Sequence, residues 1–198
     1  MFSGIVEETG EIRQVRKQKN LYTITIRGSK TARGTKVGDS IACDGICLTV
    51  TQKRGRDMEF DLMKETLDRT TFRYAKPGRA INLERSLKVN DRISGHFVTG
   101  HIDGTGIFKQ RLTIPNYVEW RIAVAPGLAR YIIPKGSVSI DGVSLTVGVV
   151  RQKYFSVYLI PHTLQVTTFG KKRVGEIVNI ETDILAKYIL WDRYSGNT

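Results

Sequence analysis

The sequence predicts an all-β fold of two small, closed or nearly closed barrels in tandem, followed by one helix. Three observations carry that prediction. Residues 44–50 read Asp-Gly-Ile-Cys-Leu-Thr-Val and residues 141–147 read Asp-Gly-Val-Ser-Leu-Thr-Val, an offset of 97. Short stretches at 21–26, 119–124 and 155–160 alternate along the chain and are rich in β-branched residues, as strands are. Residues 184–192 instead place apolar side chains at helical spacing, and nothing after Glu84 matches them.

The first element of each half is a glycine-led strand. Gly4-Ile5-Val6-Glu7-Glu8-Thr9-Gly10 returns as Gly100-His101-Ile102-Asp103-Gly104-Thr105-Gly106, at an offset of 96. An Asp-Gly turn follows in each half and feeds the next strand. Leu62, Thr66, Leu67, Thr70, Thr71 and Phe72 return as Leu159, Thr163, Leu164, Thr167, Thr168 and Phe169, with a short helix read behind each pocket strand (65–69 and 162–166). Two short helices per half are expected, the second at 126–132. Gly78, Asn82 and Glu84 return as Gly175, Asn179 and Glu181. A period this long is too great for a solenoid and marks a duplicated domain, the second copy opening near Gly95-His96-Phe97. The expected boundaries are a first barrel over 1–96, a second over 97–183 and a helix over 184–198. Thr182-Asp183 offers an N-cap, and Ile184, Tyr188 and Trp191 share a face with Leu185 and Ile189 beside it. That stripe suits a subunit contact better than a fold back onto its own barrel.

Composition narrows the function classes. The 198 residues suffice for two domains of about 90 residues each. No run of about 18 apolar residues occurs, so no membrane span is expected. The opening residues belong to the repeat and do not resemble a signal peptide, so a cytoplasmic protein is expected. Cys43 and Cys47, four apart in what reads as one strand, would sit ~13 Å apart, beyond the ~7 Å of a disulfide, and free thiols are expected. Three histidines and no Cys-x-x-Cys give no zinc pattern. The net charge of +12 raises nucleic-acid binding as a second class. Yet Arg13, Arg16, Lys17 and Lys19, then Lys53, Arg54 and Arg56, then Lys171, Lys172 and Arg173 fall in turns without interleaved aromatics, which reads as a solvated surface.

Strand alternation puts Cys47 and Thr49 on one face, and Ser144 and Thr146 on the matching face of the second copy. Such a polar pair can line a pocket and hydrogen-bond a heterocycle; equally, threonine is a good strand former and Asp-Gly a good hairpin turn. Retention of the pair in both copies favours the pocket. The copies differ by a thiol against a hydroxyl, which suggests two copies of one ligand handled differently. Cys47 is the more nucleophilic of the two, with a small buried hydrophobe as the plainer reading. His101, as an imidazole in the repeated glycine block, is a candidate for moving protons. Lys64 and Glu65 otherwise read as an exposed helix start.

The opening Met-Phe-Ser-Gly-Ile-Val-Glu, Asp-Gly-Ile-Cys-Leu-Thr-Val, Phe60-Asp61-Leu62-Met63-Lys64-Glu65-Thr66-Leu67, Gly100-His101-Ile102-Asp103-Gly104 and Ile140-Asp141-Gly142-Val143-Ser144-Leu145-Thr146-Val147 together resemble the riboflavin synthase family along essentially the whole chain. The resemblance implies tandem six-stranded Greek-key β-barrels and a homotrimer joined by the C-terminal helix. It implies an active site between the first barrel of one subunit and the second barrel of its neighbour. The implied reaction is dismutation of two 6,7-dimethyl-8-ribityllumazine molecules to riboflavin and 5-amino-6-(D-ribitylamino)uracil, with no metal, flavin or nicotinamide cofactor. Association with lumazine synthase is admitted, and neither nucleic acid nor membrane is an expected partner. By position, the resemblance assigns Gly4, Ile5, Val6, Cys47, Leu48, Thr49, Asp61, Leu62, Met63, Lys64, Glu65 and Thr66 to the first pocket. It assigns Gly100, His101, Ile102, Ser144, Leu145, Thr146, Tyr158, Leu159, Ile160, Pro161, His162 and Thr163 to the second, with Lys135 reaching a ligand across the interface. Cys47, His101, Ser144 and Thr146 are the catalytic candidates. The alternative is a non-catalytic binder of the lumazine protein type, which would have degraded one half-pocket; here both halves keep Asp-Gly, Leu-Thr-Val and the Thr-Leu pair.

Overall fold

The computed structural model describes residues 1–18 and 21–195, the side chains of Gln18 and of 191–195 excepted. Strands β1 (Glu8–Gln18), β2 (Leu21–Arg27), β3 (Ser40–Cys43), β4 (Ile46–Arg54), β5 (Asp57–Met63) and β6 (Ala80–Arg85) close one barrel in the order β1-β2-β5-β4-β3-β6. Strands β7 (Gly104–Ile114), β8 (Tyr117–Val124), β9 (Ser137–Ile140), β10 (Val143–Val150), β11 (Phe155–Leu159) and β12 (Ile177–Thr182) close a second in the equivalent order β7-β8-β11-β10-β9-β12. Closure removes sheet edges, and alternation fills each interior. Ile24, Ile26, Leu48, Val50, Phe60 and Leu62 lie inside the first barrel. In the second, Trp120 stacks on Phe108 (3.9 Å between centroids) and meets Phe169 at a tilt (4.7 Å).

The helices are short: α1 (Lys64–Arg69), α2 (Pro126–Ala129), α3 (Pro161–Val166) and α4 (Ile184–Ser195). Only one turn of α2 forms where 126–132 was expected. Pro134 disfavours helical backbone at Ile133, and the run continues instead as tight turns, Tyr131 N donating to Leu128 O and Ile132 N to Ala129 O. The expected second helix is absent from the described residues of the first half. A 3-10 turn follows α1 and another follows α3, each capped by a threonine hydroxyl, Thr70 for Phe72 N and Thr167 for Phe169 N. Asp183 caps α4 by accepting from Leu185 N at 3.0 Å. On α4, Ala186 is buried and Lys187 pairs with Asp103 at 2.7 Å, while Leu185, Tyr188 and Ile189 are exposed. The Trp191 side chain lies outside the described residues. Among those residues no helix is long and apolar enough to cross a membrane.

The single strand read through both cysteines is corrected. Asp44 (φ 46°) and Gly45 (φ 81°) form a tight hairpin turn between β3 and β4, so Cys43 and Cys47 stand on neighbouring strands. Cys43 is buried inside the barrel and Cys47 points out, which keeps both thiols free. The placing of the basic clusters in turns is corrected in part: Arg13, Arg16 and Lys17 lie in β1 and Lys53 and Arg54 in β4, where Arg13 pairs with Glu11 and Arg16 with Glu59; Lys19 lies outside the described residues.

The barrels meet turn to turn. A Cβ on Gly45 would come 2.7 Å from Gly142 N, so only glycines allow this approach. Asn82 Nδ2 donates to Asp141 O (2.9 Å) and its Oδ1 accepts from Thr168 N (2.8 Å); Asn179 mirrors it with Asp44 O (2.9 Å) and Thr71 N (2.8 Å). Each aspartate carboxylate serves its own barrel: Asp44 accepts from Asn82 N and Arg79, and Asp141 from Asn179 N and Lys172. Burial first, then the Asp141 charge, pushes the Asp44 carboxyl up to about 6 against the pull of Arg79 and Lys172. A carboxyl raised in this way binds its proton more tightly in the folded chain. The stability it contributes is complete below the unfolded value of about 4 and is lost as pH rises through about 6. Asp44→Asn is expected to flatten the melting-temperature profile across that window; an unchanged profile would place the titration elsewhere.

Candidate active site

The polar candidate residues of the pocket strands sit on the outside of the barrels. In β4, Leu48 and Val50 point inward, so Cys47 and Thr49 face out; in β5, Phe60 and Leu62 point inward, so Asp61 and Met63 face out. The register of Val50 with Phe60 sets Thr49 beside Asp61. The second barrel repeats the plan: Ser144 and Thr146 face out from β10, Tyr158 faces out from β11, and Ile160 is exposed just beyond it. Leu48, Leu62, Leu145 and Leu159 are buried in the barrels, so a ligand meets their backbone at most. In the first half, Asp61 accepts from Thr23 Oγ1 at 2.8 Å, and a 240 Å³ cavity continues past it toward Thr51, Glu59 and Arg16. In the second, the Tyr158 ring packs over Gly148 with Tyr117 edge-on at 5.7 Å. Asp61 in the first half thus stands at the position that Tyr158 holds in the second.

The glycine-led segments are exchanged between the halves, against the sequence assignment. Ser144 N donates to Gly4 O at 2.8 Å, and Cys47 N donates to Gly100 O at 2.9 Å. Val6 packs on the core of the second barrel and Ile102 on the core of the first. Gly4, Ile5 and Val6 therefore border the Ser144 half-site, and Gly100, His101 and Ile102 border the Cys47 half-site. The physical reason is a pair of chain bridges, Phe2 N to Val98 O and Val98 N to Phe2 O, which run both segments along the junction between the barrels. Gly4 and Gly100 take φ of 76° and 82° there, a region glycine enters freely.

One residue escaped the sequence reading. His96 shares a 2.7 Å hydrogen bond between its Nδ1 and Ser144 Oγ, while His96 N donates to Ser3 O at 3.2 Å. Burial lowers its pKa below the usual histidine value, partly opposed by the Asp183 charge, so the neutral ring is favoured. The nominated His101 is exposed and lies at the other half-site. His96 was visible only as the start of the second repeat, ahead of its glycine-led block.

Of the remaining candidates, Lys64 pairs with Asp68 (2.6 Å) and Glu65 with Arg69 (3.2 Å), both on the exposed face of α1, as the helix-start reading has it. Thr66 and Thr163 are half-buried at matching places on α1 and α3, where Pro161 and His162 are exposed. Lys135 is exposed and holds a left-handed φ of 65° where the first half has Gly38 at 94°.

Comparison with known proteins shows the family and the fold. The family model of the lumazine binding domain matches residues 3–86 and again 99–183. Riboflavin synthase of Actinobacillus pleuropneumoniae is 46% identical over 189 residues, covering 96% of this chain and 88% of that protein. Riboflavin synthase of Bacillus subtilis (strain 168) is 40% identical over 189 residues, with 96% and 88% covered. Riboflavin synthase of Mycobacterium tuberculosis (strain ATCC 25618 / H37Rv) is 41% identical over 194 residues, with 96% of each chain covered. Among solved structures, LumP complexed with riboflavin gives a TM-score of 0.85 at 24% identity over 92% of this chain and 99% of that one. LumP complexed with 6,7-dimethyl-8-(1'-D-ribityl) lumazine gives 0.83 over the same shares. At that identity the likeness shows the fold.

Proposed function

The chain belongs to the lumazine-binding domain family, and from that premise we propose that it acts as a riboflavin synthase. It is an enzyme of transferase type, moving a four-carbon unit between two molecules of 6,7-dimethyl-8-ribityllumazine to give riboflavin and 5-amino-6-(D-ribitylamino)uracil. The observation that carries the reading is the pair of half-sites built to one plan, each with a polar outward pair and a glycine-led border. A binder that holds one chromophore has no use for the second. Incubation of the purified chain with the lumazine alone tests it: riboflavin absorbance should grow as lumazine is consumed, and binding without product would favour the lumazine protein type.

The chemistry needs a proton taken from the 7-methyl group of one ring and a nucleophile added at C7 of the other. Neutral His96 beside Ser144 supplies a proton acceptor and an oriented hydroxyl at one half-site. Cys47 supplies a thiol at the other, bordered by His101. Thr49, Asp61, Thr66, Thr146 and Thr163 offer hydroxyl and carboxylate partners to ring carbonyls and the ribityl chain. Orientation of two bound reactants supplies about 7 kcal/mol or more when alignment is good. No single side chain therefore carries the whole rate, and Cys47→Ser, Ser144→Ala and His101→Gln should each retain measurable lumazine consumption. Total loss in Ser144→Ala with ligand binding intact would overturn that ranking.

A homotrimer joined through α4 completes the proposal, each first-barrel half-site facing a neighbour's second-barrel half-site. The exposed Leu185, Tyr188 and Ile189 support it, as does the openness of both half-sites within one chain, where Thr49 and Thr146 are exposed. Lys135 then reaches a ligand across the interface. A cytoplasmic setting suits the two free thiols.

A further inference from the structure

Glu84 and Glu181 recur in the two halves, lie buried in the last strand of each barrel, and take no part in the chemistry proposed above. Burying a carboxylate is costly unless it accepts strong hydrogen bonds, so the partners of each show what it is for. Glu84 accepts from Ser3 N (2.8 Å) and Ser3 Oγ (2.9 Å) through Oε1, and from Gly4 N (3.1 Å) through Oε2. Glu181 repeats the grip on Thr99 N (2.6 Å), Thr99 Oγ1 (2.7 Å) and Gly100 N (2.9 Å). Each glycine-led segment is thus held by its amides from one barrel, while its carbonyl oxygen accepts from the pocket strand of the other, Ser144 N for Gly4 and Cys47 N for Gly100.

We infer that Glu84 and Glu181 are positioning residues acting across the barrels: Glu84, in the first barrel, sets the border of the Ser144 half-site, and Glu181, in the second, sets the border of the Cys47 half-site. The inference rests on the proposed function for what the borders hold, and on hydrogen bonds alone for how they are held. The carboxylate is specific to the task. Both oxygens of each glutamate face N–H or O–H donors, so a glutamine of the same shape turns its NH2 toward a backbone N–H and the segment must move. Burial raises both glutamate pKa values, most of all through desolvation, so the neutral amide removes an unfavourable buried charge and the fold is expected to survive the change.

The test compares the full-length chain with Glu84→Gln and Glu181→Gln. Riboflavin is titrated by fluorescence, and its protection of Cys47 from alkylation reports one half-site alone. Glu181→Gln is expected to weaken that protection about tenfold and leave the other half-site within about twofold. Glu84→Gln is expected to leave Cys47 protection unchanged and weaken the remaining binding event about tenfold. Amide hydrogen exchange gives a second measurement that needs no ligand: Glu84→Gln should release Ser3 and Gly4 but not Thr99 and Gly100, and Glu181→Gln the reverse. Equal weakening at both half-sites, damage confined to the glutamate's own barrel, or no change in either measurement would overturn the inference. Should the unaltered chain bind no riboflavin, the proposed function falls, and the exchange pattern alone then supports or overturns the anchoring.

Discussion

Gly100→Ala is expected to lower turnover about 100-fold or more while the Ser144 half-site keeps its ligand. At φ of 82° alanine is disfavoured by about 1–2 kcal/mol before any contact is considered. Its Cβ would also come 2.8 Å from Cys47 N and 3.0 Å from Cys47 Cα. These are backbone atoms of a strand paired within a closed barrel, so the strand cannot give way and the border segment must. The Cys47 N to Gly100 O hydrogen bond then breaks, and His101 and Ile102 leave the half-site with it. Gly4→Ala is the counterpart, with Ser144 Cβ at 2.6 Å and Ser144 N at 2.8 Å, and the loss should move to the other half-site. Steady-state rates and a riboflavin titration read both variants. An unchanged kcat/KM for Gly100→Ala would remove the glycine-led border from the site.

Asn179→Ala is expected to cost the chain about 3 kcal/mol, lowering Tm by about 6–12 °C. The side chain bridges the barrels twice, to Asp44 O and from Thr71 N, and its loss leaves a buried carbonyl and a buried N–H without partners. Each such group costs roughly 1–3 kcal/mol, more than the net worth of the bond removed. Asn82→Ala should match it through Asp141 O and Thr168 N. The two asparagines brace the same pair of Asp-Gly turns, so the double variant should depart from additivity by about 1 kcal/mol. Urea denaturation measures all three, and a loss below about 0.5 kcal/mol for either single variant would show that the junction is held by other means.

Much of this was readable before any coordinates. The duplicated Asp-Gly and Leu-Thr-Val blocks gave two barrels, because a period-2 pattern states which side chains share a face. That rule correctly turned Cys47 with Thr49, and Ser144 with Thr146, to one side. It is silent on which half borders that side, so Gly4 was paired with Cys47 and Gly100 with Ser144, the reverse of what the hydrogen bonds show. Proximity in a repeat was taken for proximity in space, whereas Phe2 and Val98 bind the two segments to each other. His96 was hidden for a related cause: it contacts Ser144 from a connecting segment outside the blocks that recur. The cysteines were read along one strand because the apolar run continues through Asp44-Gly45, where left-handed backbone breaks it. Leu48 and Leu145 entered the pocket as neighbours of the true outward residues, though alternation alone turns them inside.

The exchange of leading segments has a consequence for how the molecule is made. A first half emerging from synthesis can close its strands, yet its outer wall at Cys47 is supplied by residues 99–102, which do not yet exist. The second half in turn borrows from the chain's opening residues, which must stay uncommitted until it arrives. Neither barrel is finished alone, so two separate cores should nonetheless melt in a single cooperative transition, and a ribosome-bound first half should remain incomplete until its twin is translated.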